Sequence, residues 1–397
     1  METQIIFGPP GTGKTETLLR TVEQELKRGV APNRISYLGF TRQAAYGAKR
    51  RAVASIGCTY DELPWFRTLH STACRQLRLR SSELLPTEYL QDMSALNLPW
   101  QNTEVFEAVR ILDIALNTHQ SIEDVIIQRF TTRLGRKVQC VNPEQIPRIV
   151  QAILDVKRKT GRYTYPDLIR MHCPPLPVEV VMVDEAQDLT RLEWEFVFRV
   201  AANCERMYIA GDDDQAIFGW KGASAANMLT LSGEHIHLRK SYRVPLKVKQ
   251  FSDNILQRIR RREPKHWEPT SEDGLVVRSC AELGTYAGLP GSWLFLARTE
   301  QALVRLLPHI RGLNKAYSFR GKNHGEDPIV RADTIHAAKG AEADNVVLSL
   351  EDFGERIEMT DEDHRIAYVA MTRARKNMFI MSPAFNRIPR SYDIFGL

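Results

Sequence analysis

The amino-acid sequence predicts an α/β fold with two domains, each built on a parallel sheet. Short apolar strands alternate with helical segments over residues 1–80, and a second α/β region begins near His235. Between them, residues 82–160 show helical periodicity and almost no strand signal, which indicates a helical insertion. The predicted domains are therefore residues 1–81 with 161–234, the insertion 82–160, and residues 235–397.

The first domain begins with two predicted strand–helix units. Gln4–Phe7 is a short apolar run typical of a buried strand, and Thr12–Lys27 has the periodicity of a helix. Ile35–Gly39 and Thr41–Ala54 repeat the pattern. Because parallel strands need a long crossover connection, this alternation favours a parallel sheet.

Later elements are predicted on the same grounds. The insertion contains an amphipathic helical segment at Glu104–Leu112. Further strands are expected at Val178–Val183, Met207–Ala210, Leu275–Arg278, Trp293–Ala297 and Val346–Leu350.

Composition indicates a globular protein of the cytoplasm. The chain has 397 residues, of which 43% are hydrophobic and 26% charged. We expect no membrane contact, since no apolar stretch could cross a bilayer and Met1–Phe7 lacks a signal-peptide pattern. The net charge of +6 is mild for a nucleic-acid binder. We expect reduced thiols without zinc-ligand pairs at Cys58, Cys74, Cys140, Cys173, Cys204 and Cys280.

A phosphate-binding loop is predicted directly after the first strand. Residues 8–15 fit the pattern G-x-x-x-x-G-K-[ST] between a strand and a helix, the context this motif requires. The loop would cradle phosphates with its backbone N–H groups, Lys14 would hold the β and γ phosphates, and Thr15 would bind Mg²⁺. The predicted nucleotide-binding residues here are Gly8, Pro9, Gly11, Thr12, Gly13, Lys14 and Thr15.

A second acidic motif follows the apolar strand Val178–Val183. Asp184 and Glu185 would lie at the carboxyl edge of the sheet, where open α/β sheets bind ligands. We expect Asp184 to hold Mg²⁺ through water, and Glu185 to orient and deprotonate the attacking water. An Asp-Glu pair after a strand is common and by itself does not indicate a metal site. It indicates one here because the chain also contains the phosphate loop.

Further motifs extend this pattern along the chain. Residues 209–223, IAGDDDQAIFGWKGA, carry a Gln followed closely by two aromatic residues. With the phosphate loop, this segment resembles superfamily 1 helicases of the UvrD/Rep/PcrA branch. Shorter segments similar to that branch occur in family order at Gly39–Ala45, Arg67–His70, Ser241–Arg243, Thr334–Glu342 and Tyr368–Arg375.

The resemblance implies two RecA-like domains with ATP in the cleft between them. Gln215 would sense the γ-phosphate, and Arg243 and Arg373 would stabilise the charge that develops during phosphoryl transfer. Arginine suits this role because it stays protonated and presents a rigid fork of donors. Tyr242 would pack on adenine, and Glu342 would bond the ribose.

The resemblance also implies a path for single-stranded DNA. Phe218 and Trp220 would stack on bases, which is independent of base sequence and contributes about 1–3 kcal/mol per base. Packing in the core is the alternative for Trp220, and also for the two histidines of the predicted set. The other residues expected to contact DNA are Phe40, Thr41, Arg42, His70, Thr334 and His336.

Arg239–Lys265 contains ten basic residues and two acidic ones. The pattern favours a helix with a solvated outer face, and tracking of phosphates is the alternative.

Two departures from the family pattern affect the expected activity. Larger members carry a helical domain, 2B, before the Thr334 motif, whereas here only about a dozen residues follow Tyr317–Gly321. We therefore expect a compact form for which translocation is a safer prediction than processive unwinding. Larger members also place an adenine-reading Gln upstream of the phosphate loop, and Gln4 is too close to serve. We expect weaker discrimination against other nucleoside triphosphates.

The predicted function is that of an ATP-dependent, 3′→5′ translocase or helicase on single-stranded DNA with a tailed or forked duplex. We expect a monomer, with a replication or repair protein as partner. Two alternatives stay open at this point, an ATP-gated clamp or loader without strand separation and an RNA-directed motor.

Overall fold

A computed structural model of the chain describes residues 1–85, 100–131, 141–278, 283–351, 353 and 359–381. Within these ranges the fold is α/β with two sheets whose pairings are mainly parallel. This confirms the predicted fold class.

The first sheet carries the strands that precede the predicted site residues. Its strands are β1 (Glu2–Phe7), β2 (Ile35–Gly39), β3 (Phe66–Thr68), β4 (Val180–Val183), β5 (Arg206–Gly211) and β6 (Glu234–His237). Their order is β3-β2-β4-β5-β1-β6, and β2 pairs in parallel with both β3 and β4. β2 and β4 are buried along their whole length, as expected for strands covered on both faces.

The second sheet is parallel except at one edge. Its strands are β7 (Leu275–Val277), β8 (Trp293–Ala297), β9 (Tyr317–Phe319), β10 (Lys322–His324), β11 (Val330–Thr334), β12 (Ala343–Ser349) and β13 (Ala374–Met381). Their order is β10-β9-β11-β8-β12-β13-β7, and among these described strands the pairing of β9 with β10 is antiparallel while the other pairings are parallel. This short hairpin directly precedes β11.

Helices connect the strands throughout the described ranges. Those between β1 and β6 are α1 (Lys14–Lys27), α2 (Arg42–Ile56), α3 (Leu69–Leu77), α4 (Asn102–Thr118), α5 (Ile122–Thr131), α6 (Ile146–Thr160), α7 (Tyr165–Arg170), α8 (Arg191–Val200) and α9 (Ala225–Leu229). Those that follow β6 are α10 (Leu246–Leu256), α11 (Glu300–Arg305), α12 (Leu307–Gly312) and α13 (Asp361–Met371).

The helical insertion has a hydrophobic core of its own. Val105, Ile111, Val125, Ile149 and Ile153, from α4, α5 and α6, are each at most 2% exposed and pack in one cluster. The prediction of helical structure in this region is confirmed for the described residues. Residues 86–99 and 132–140 of the predicted insertion lie outside them.

The chain divides into two compact units. The first unit comprises Met1–Ile5, Thr15–Ala210 and Phe218–Glu234, and the second comprises Ile6–Lys14, Gly211–Ile217 and His235–Leu397. The phosphate loop up to Lys14 and the segment with Gln215 are thus grouped with the second unit. The domain boundaries derived from the sequence stay a prediction.

Two secondary-structure predictions are wrong in detail. Helix α1 begins at Lys14 instead of Thr12, because the glycine loop extends to Gly13, whose φ is +82°. The basic segment Arg239–Lys265 is helical only over Leu246–Leu256. Nearer the end of the segment, Pro264 disfavours helical backbone at the residue before it.

Four of the six cysteines lie within the described residues. Cys58, Cys74, Cys173 and Cys204 are free thiols, while Cys140 and Cys280 lie outside the described residues. In the described part of the chain, no helix combines the length and the apolar character that crossing a bilayer requires.

Candidate active site and nucleic-acid interface

The phosphate loop follows the buried end of β1 in the second unit. The N–H of Gly8 donates to the carbonyl of Gly211 at 3.0 Å, which fixes the start of the loop. Lys14 Nζ donates to the Gly8 carbonyl at 2.8 Å, and Thr12 Oγ1 donates to the Pro9 carbonyl at 2.8 Å. A Cβ at position 8 would lie 2.2 Å from Lys14 Cγ, so only glycine allows the lysine to fold along the loop.

The Ser-Tyr-Arg motif contacts the same loop within the second unit. Tyr242 N–H donates to the Gly11 carbonyl at 2.9 Å, and Ser241 Oγ donates to the Pro10 carbonyl at 2.8 Å. Gly11 has a φ of +73°, and a Cβ there would lie 2.4 Å from Arg243 Cβ. The Tyr242 ring is 73% exposed, which leaves its face available for stacking. The structure therefore brings Arg243 and Tyr242 to the phosphate loop.

Gln215 lies at the centre of a second group of contacts in this unit. Arg373 Nη2 donates to Gln215 Oε1 at 2.7 Å, and Gln215 Nε2 donates to Asp212 Oδ2 at 2.7 Å. Lys339 Nζ donates to the backbone carbonyl of Gln215 at 2.6 Å. Arg373 is 2% exposed, so its guanidinium is held in a desolvated position. Lys339 was not predicted as a site residue, although its motif was recognised.

Glu342 pairs with one of the predicted arginines. Arg243 Nε donates to Glu342 Oε2 at 2.6 Å, and Arg375 lies 3.5 Å from the other carboxylate oxygen. The Glu342 side chain is 38% exposed. The contact with Arg243 brings Glu342 to the Ser-Tyr-Arg motif, while its bond to a ribose stays a prediction.

Asp184 and Thr15 meet in the first unit. Thr15 Oγ1 donates to Asp184 Oδ2 at 2.8 Å, and the hydroxyl of Tyr37 donates to the same oxygen at 2.5 Å. Asp184 is 2% exposed. Burial, and then the Asp184 charge, raise the pKa of Tyr37 well above its ordinary value, so Tyr37 is a fixed donor. Tyr37 was missed because a tyrosine inside a buried strand gives no signal of its own.

Glu185 is held in an unusual backbone conformation. Its φ is 54° and its ψ is 41°, in the left-handed region. Its N–H donates to Asp184 Oδ1 at 2.9 Å, and Gln187 Nε2 donates to Glu185 Oε2 at 2.6 Å. Strained backbone of this kind is concentrated at functional sites. The conformation therefore supports the prediction that this carboxylate has a specific task.

The oxygen atoms of Thr15 and Asp184 fit a magnesium ion. Mg²⁺ prefers hard oxygen ligands and is bound by one or two protein groups together with phosphates and water. A hydroxyl and a buried carboxylate with their oxygens 2.8 Å apart provide that donor set.

Three consecutive carboxylates in the second unit form a buried ion network that the sequence did not indicate. Asp212, Asp213 and Asp214 are each fully buried. Lys265 Nζ lies 3.0 Å from Asp212 and 2.9 Å from Asp214, and it also pairs with Asp213. Arg262 holds Asp214 with two bonds of 2.8 and 2.7 Å.

This network changes the interpretation of the basic segment. Burial opposes ionisation of Asp212, but the charges of Lys265 and Lys14 outweigh it and lower the pKa of Asp212. Lys265 and Arg262 therefore belong neither to a solvated helix face nor to a surface that contacts DNA phosphates. Both earlier interpretations of Arg239–Lys265 are wrong for these two residues, because they neutralise buried carboxylates.

Aromatic residues form a row in the first unit. The ring centroids of Phe40 and Phe218 are 5.2 Å apart, and those of Phe218 and Trp220 are 6.2 Å apart. Lys221 Nζ lies 4.4 Å from the Phe40 ring, which adds a cation to the row. Trp220 is 47% exposed. Core packing is therefore excluded for Trp220, while the Arg110 guanidinium lies 5.8 Å from its ring.

The remaining predicted DNA contacts of the first unit lie at helix starts. Thr41 caps α2 by accepting from the Ala44 N–H at 3.1 Å, and the next residue, Arg42, is exposed. His70, in the first turn of α3, meets the Tyr165 ring edge-on with centroids 5.0 Å apart. Burial lowers the pKa of His70.

Thr334 and His336 belong to the second unit, at the end of β11. Thr334 Oγ1 accepts from the Ala337 N–H at 3.3 Å. His336 Nε2 lies 3.0 Å from the carbonyl of Ile217, which acts as its acceptor in the neutral ring. Burial lowers the pKa of His336 to about 4. The ring is therefore neutral at pH 7.

Solved and curated proteins resemble this chain at low identity. A probable DNA helicase of Mycoplasma pneumoniae is 22% identical over 98% of this chain and 82% of its own length. The ATP-dependent DNA helicase PcrA of Bacillus subtilis is 22% identical over 69% of this chain, which spans only 40% of that relative. A structure titled as the PRRSV helicase covers 97% of this chain and 53% of its own at 15% identity, with a TM-score of 0.42.

Family models match most of the chain in two parts. The UvrD/REP helicase N-terminal domain matches residues 2–158 and 176–236, and the UvrD-like helicase C-terminal domain matches residues 300–383. The matched ranges include the phosphate loop, the Asp184–Glu185 motif, the Gln215 segment, and Arg373. The chain belongs to the UvrD/Rep helicase family.

Proposed function

We propose that this chain hydrolyses ATP to move 3′→5′ along single-stranded DNA and to separate the strands of a tailed or forked duplex. The observation that carries the proposal is the contact of Arg373 with Gln215, together with the approach of Arg243 to the phosphate loop. Two permanently charged guanidinium groups next to phosphate-binding backbone are the arrangement that stabilises phosphoryl transfer.

Each of these side chains has a role in the proposed hydrolysis of ATP. Lys14 holds the β and γ phosphates, and Gln215 orients the attacking water. Glu185 accepts the proton of that water, while Arg243 and Arg373 stabilise the charge on the transferred group. Thr15 follows Lys14 directly in the chain, and Thr15 and Asp184 would hold Mg²⁺, which would supply positive charge next to the phosphates.

The nucleic-acid path uses the aromatic row. Only Ala216 and Ile217 separate Gln215 from Phe218, so a change at the γ-phosphate is transmitted over a few bonds to a stacking residue. Phe40, Phe218 and Trp220 stack on bases, with Thr41, Arg42, His70, Thr334 and His336 contacting the same strand. Tyr242 and Glu342 bind the adenosine.

The domain assignment belongs to the same proposal. Residues 1–81 and 161–234 form the ATP-binding RecA-like domain, 82–160 the insertion, and 235–397 the second RecA-like domain, with ATP in the cleft. We further infer a compact form without domain 2B that works as a cytoplasmic monomer, with a replication or repair protein as partner. The short β9–β10 hairpin supports the compact form.

ATPase activity with and without single-stranded DNA tests the proposal. We expect DNA to stimulate hydrolysis in the wild type, and Lys14→Ala to reduce it by about a hundredfold or more. Lys27→Ala, at the exposed end of the same helix, is the matched control and should retain activity. Equal activity of the two variants would contradict the assignment of the phosphate loop.

Strand displacement then decides between the motor and its alternatives. We expect ATP-dependent release from a 3′-tailed duplex and none from a 5′-tailed one. Stimulated hydrolysis without displacement or movement along either tail would favour a clamp or loader. Stronger stimulation by RNA than by DNA of equal length would favour an RNA-directed motor.

A further inference from the structure

Two histidines and a glutamate that have no role in the proposed function converge at the surface of the second unit. His235 and His237 are two residues apart in β6, so both side chains lie on the same face of the strand. Glu263 comes from the segment that follows α10. One ligand atom from each of the three residues lies within 4.8 Å of the others.

The separations within this cluster suit a metal ion better than hydrogen bonds. Glu263 Oε1 lies 3.5 Å from His235 Nδ1 and 3.3 Å from His237 Nε2. A charge-assisted N–H···O bond is shorter, about 2.7–2.9 Å. Ligand atoms that surround zinc tetrahedrally at its usual bond lengths lie about 3.3–3.5 Å from one another. The two distances from Glu263 Oε1 fall within this range, and the His235 and His237 nitrogens lie within 4.8 Å of each other.

The surroundings hold the three ligands in place. Glu263 N–H donates to Asp213 Oδ2 at 2.9 Å, and its neighbour Arg262 forms two bonds to Asp214. The Phe7 ring packs against both imidazoles, with centroid distances of 5.1 and 5.4 Å to the rings of His235 and His237. Supports of this kind orient metal ligands and raise affinity.

We propose that His235, His237 and Glu263 bind a divalent transition metal ion of the zinc class. Imidazole ligands select zinc, cobalt or nickel over magnesium and calcium. The side chains are 38%, 28% and 22% exposed, so water can complete the coordination. Another group of candidate ligands in the described residues, Asp212–Asp214, is already paired with Lys265 and Arg262 and is not proposed as a metal site.

The ion would join two segments that are well separated in the sequence. It would tie β6 to the segment Arg262–Lys265, which in turn holds the carboxylates preceding Gln215. The ion is thus a structural brace for the second unit, distinct from the Mg²⁺ that accompanies ATP.

Zinc titration of the chelator-stripped full chain, without nucleotide or DNA, tests this site. We expect one zinc per chain by calorimetry, and an affinity about tenfold or more weaker in His235→Ala, His237→Ala and Glu263→Gln. His266→Ala, an exposed histidine of the same segment, is the matched control and should bind as the wild type does. Because ATP is absent, the result is independent of the proposed helicase activity.

Two further measurements identify the ligands. Cobalt bound to the wild type should give the visible spectrum of a tetrahedral site without thiolate charge-transfer bands. Zinc should raise the melting temperature of the wild type and leave that of His235→Ala unchanged. His235 is the most exposed of the three, so this variant remains folded even if His237→Ala does not. Unaltered zinc affinity in His235→Ala, or cobalt bands from thiolate, would overturn the proposal.

Discussion

At the scale of single residues, the predicted site residues are held by different kinds of contact. Lys14 donates to the Gly8 carbonyl, Gln215 donates to the Asp212 carboxylate, and Arg373 donates to the amide oxygen of Gln215. Glu185 differs, because it is held by Gln187 and by its own strained backbone. Substitutions at this scale should therefore separate binding from chemistry.

Glu185→Gln should keep nucleotide binding and lose hydrolysis. The amide has nearly the shape of the carboxylate but cannot accept the proton of the attacking water, so turnover should fall by about 10²–10⁴-fold. Binding of a fluorescent ATP analogue and steady-state hydrolysis measure the two effects. Glu195→Gln, an exposed glutamate in α8, is the control. Loss of binding and hydrolysis to the same extent would remove Glu185 from the role of base.

His336 should make stability depend on acid pH. Its folded-state pKa is lowered to about 4 from an ordinary 6.5, so the unfolded chain binds the proton first. The contribution of neutral His336 is complete above pH 6.5 and is lost as the pH falls toward 4. Over that interval the free energy of unfolding should fall more in the wild type than in His336→Gln, by about 1–3 kcal/mol.

Urea denaturation at a series of pH values measures this difference. The glutamine amide can still donate to the Ile217 carbonyl but does not titrate. His172→Gln, at an exposed position, should retain the wild-type pH dependence. Parallel curves for the wild type and His336→Gln would contradict the assignment.

At the scale of elements, the loop Asp212–Gln215 depends on the segment Arg262–Lys265. Three buried carboxylates lie within reach of one lysine and one arginine from that segment. Removing one partner of a buried pair leaves charge uncompensated in a desolvated place. The two elements should therefore fold and unfold together.

Lys265→Met should destabilise the protein by about 3–5 kcal/mol at neutral pH. The deficit should shrink as the pH falls, because the carboxylates can then protonate in the folded state. Lys247→Met, an exposed lysine of α10, is the matched control. Denaturant titrations at pH 7 and pH 5 measure both effects, and a small, pH-independent loss would show that the lysine is not essential to the network.

The turn Gly219–Lys221 should couple DNA to hydrolysis through Trp220. Trp220→Ala removes a half-exposed stacking surface, so we expect DNA-stimulated hydrolysis to fall at least about tenfold while basal hydrolysis changes little. Phe198→Ala, whose ring is 41% exposed on α8, is the matched aromatic control. Equal losses in basal and stimulated turnover would remove Trp220 from the coupling role.

At the scale of the whole molecule, contiguous patterns were predicted and distant pairs were not. The phosphate loop, β2 and β8 follow from local composition and spacing, and their positions agree with the structure. The hydroxyl of Tyr37 binds Asp184 from 147 residues away, and Lys265 binds Asp213 from 52 residues away. A single sequence does not show which distant residues will pair, since the local context of a lysine does not reveal whether it is solvated.

The same limit applies to the nature of the basic segment. Counting charges along Arg239–Lys265 led to one interpretation for all its basic residues, although their environments differ. Lys265 is 2% exposed in its side chain, whereas Lys247 is exposed. Only the folded chain separates the lysines that neutralise carboxylates from those that face water.

The left-handed backbone at position 185 places the stability of the fold in conflict with the proposed hydrolysis of ATP. A non-glycine residue in this region costs about 1 kcal/mol or more of folding free energy. Under the proposed role of Glu185 as the base, glycine at this position would relieve the backbone strain and abolish ATP hydrolysis. Selection of variants for thermal tolerance alone should therefore replace this glutamate early, whereas selection for ATP hydrolysis should keep it.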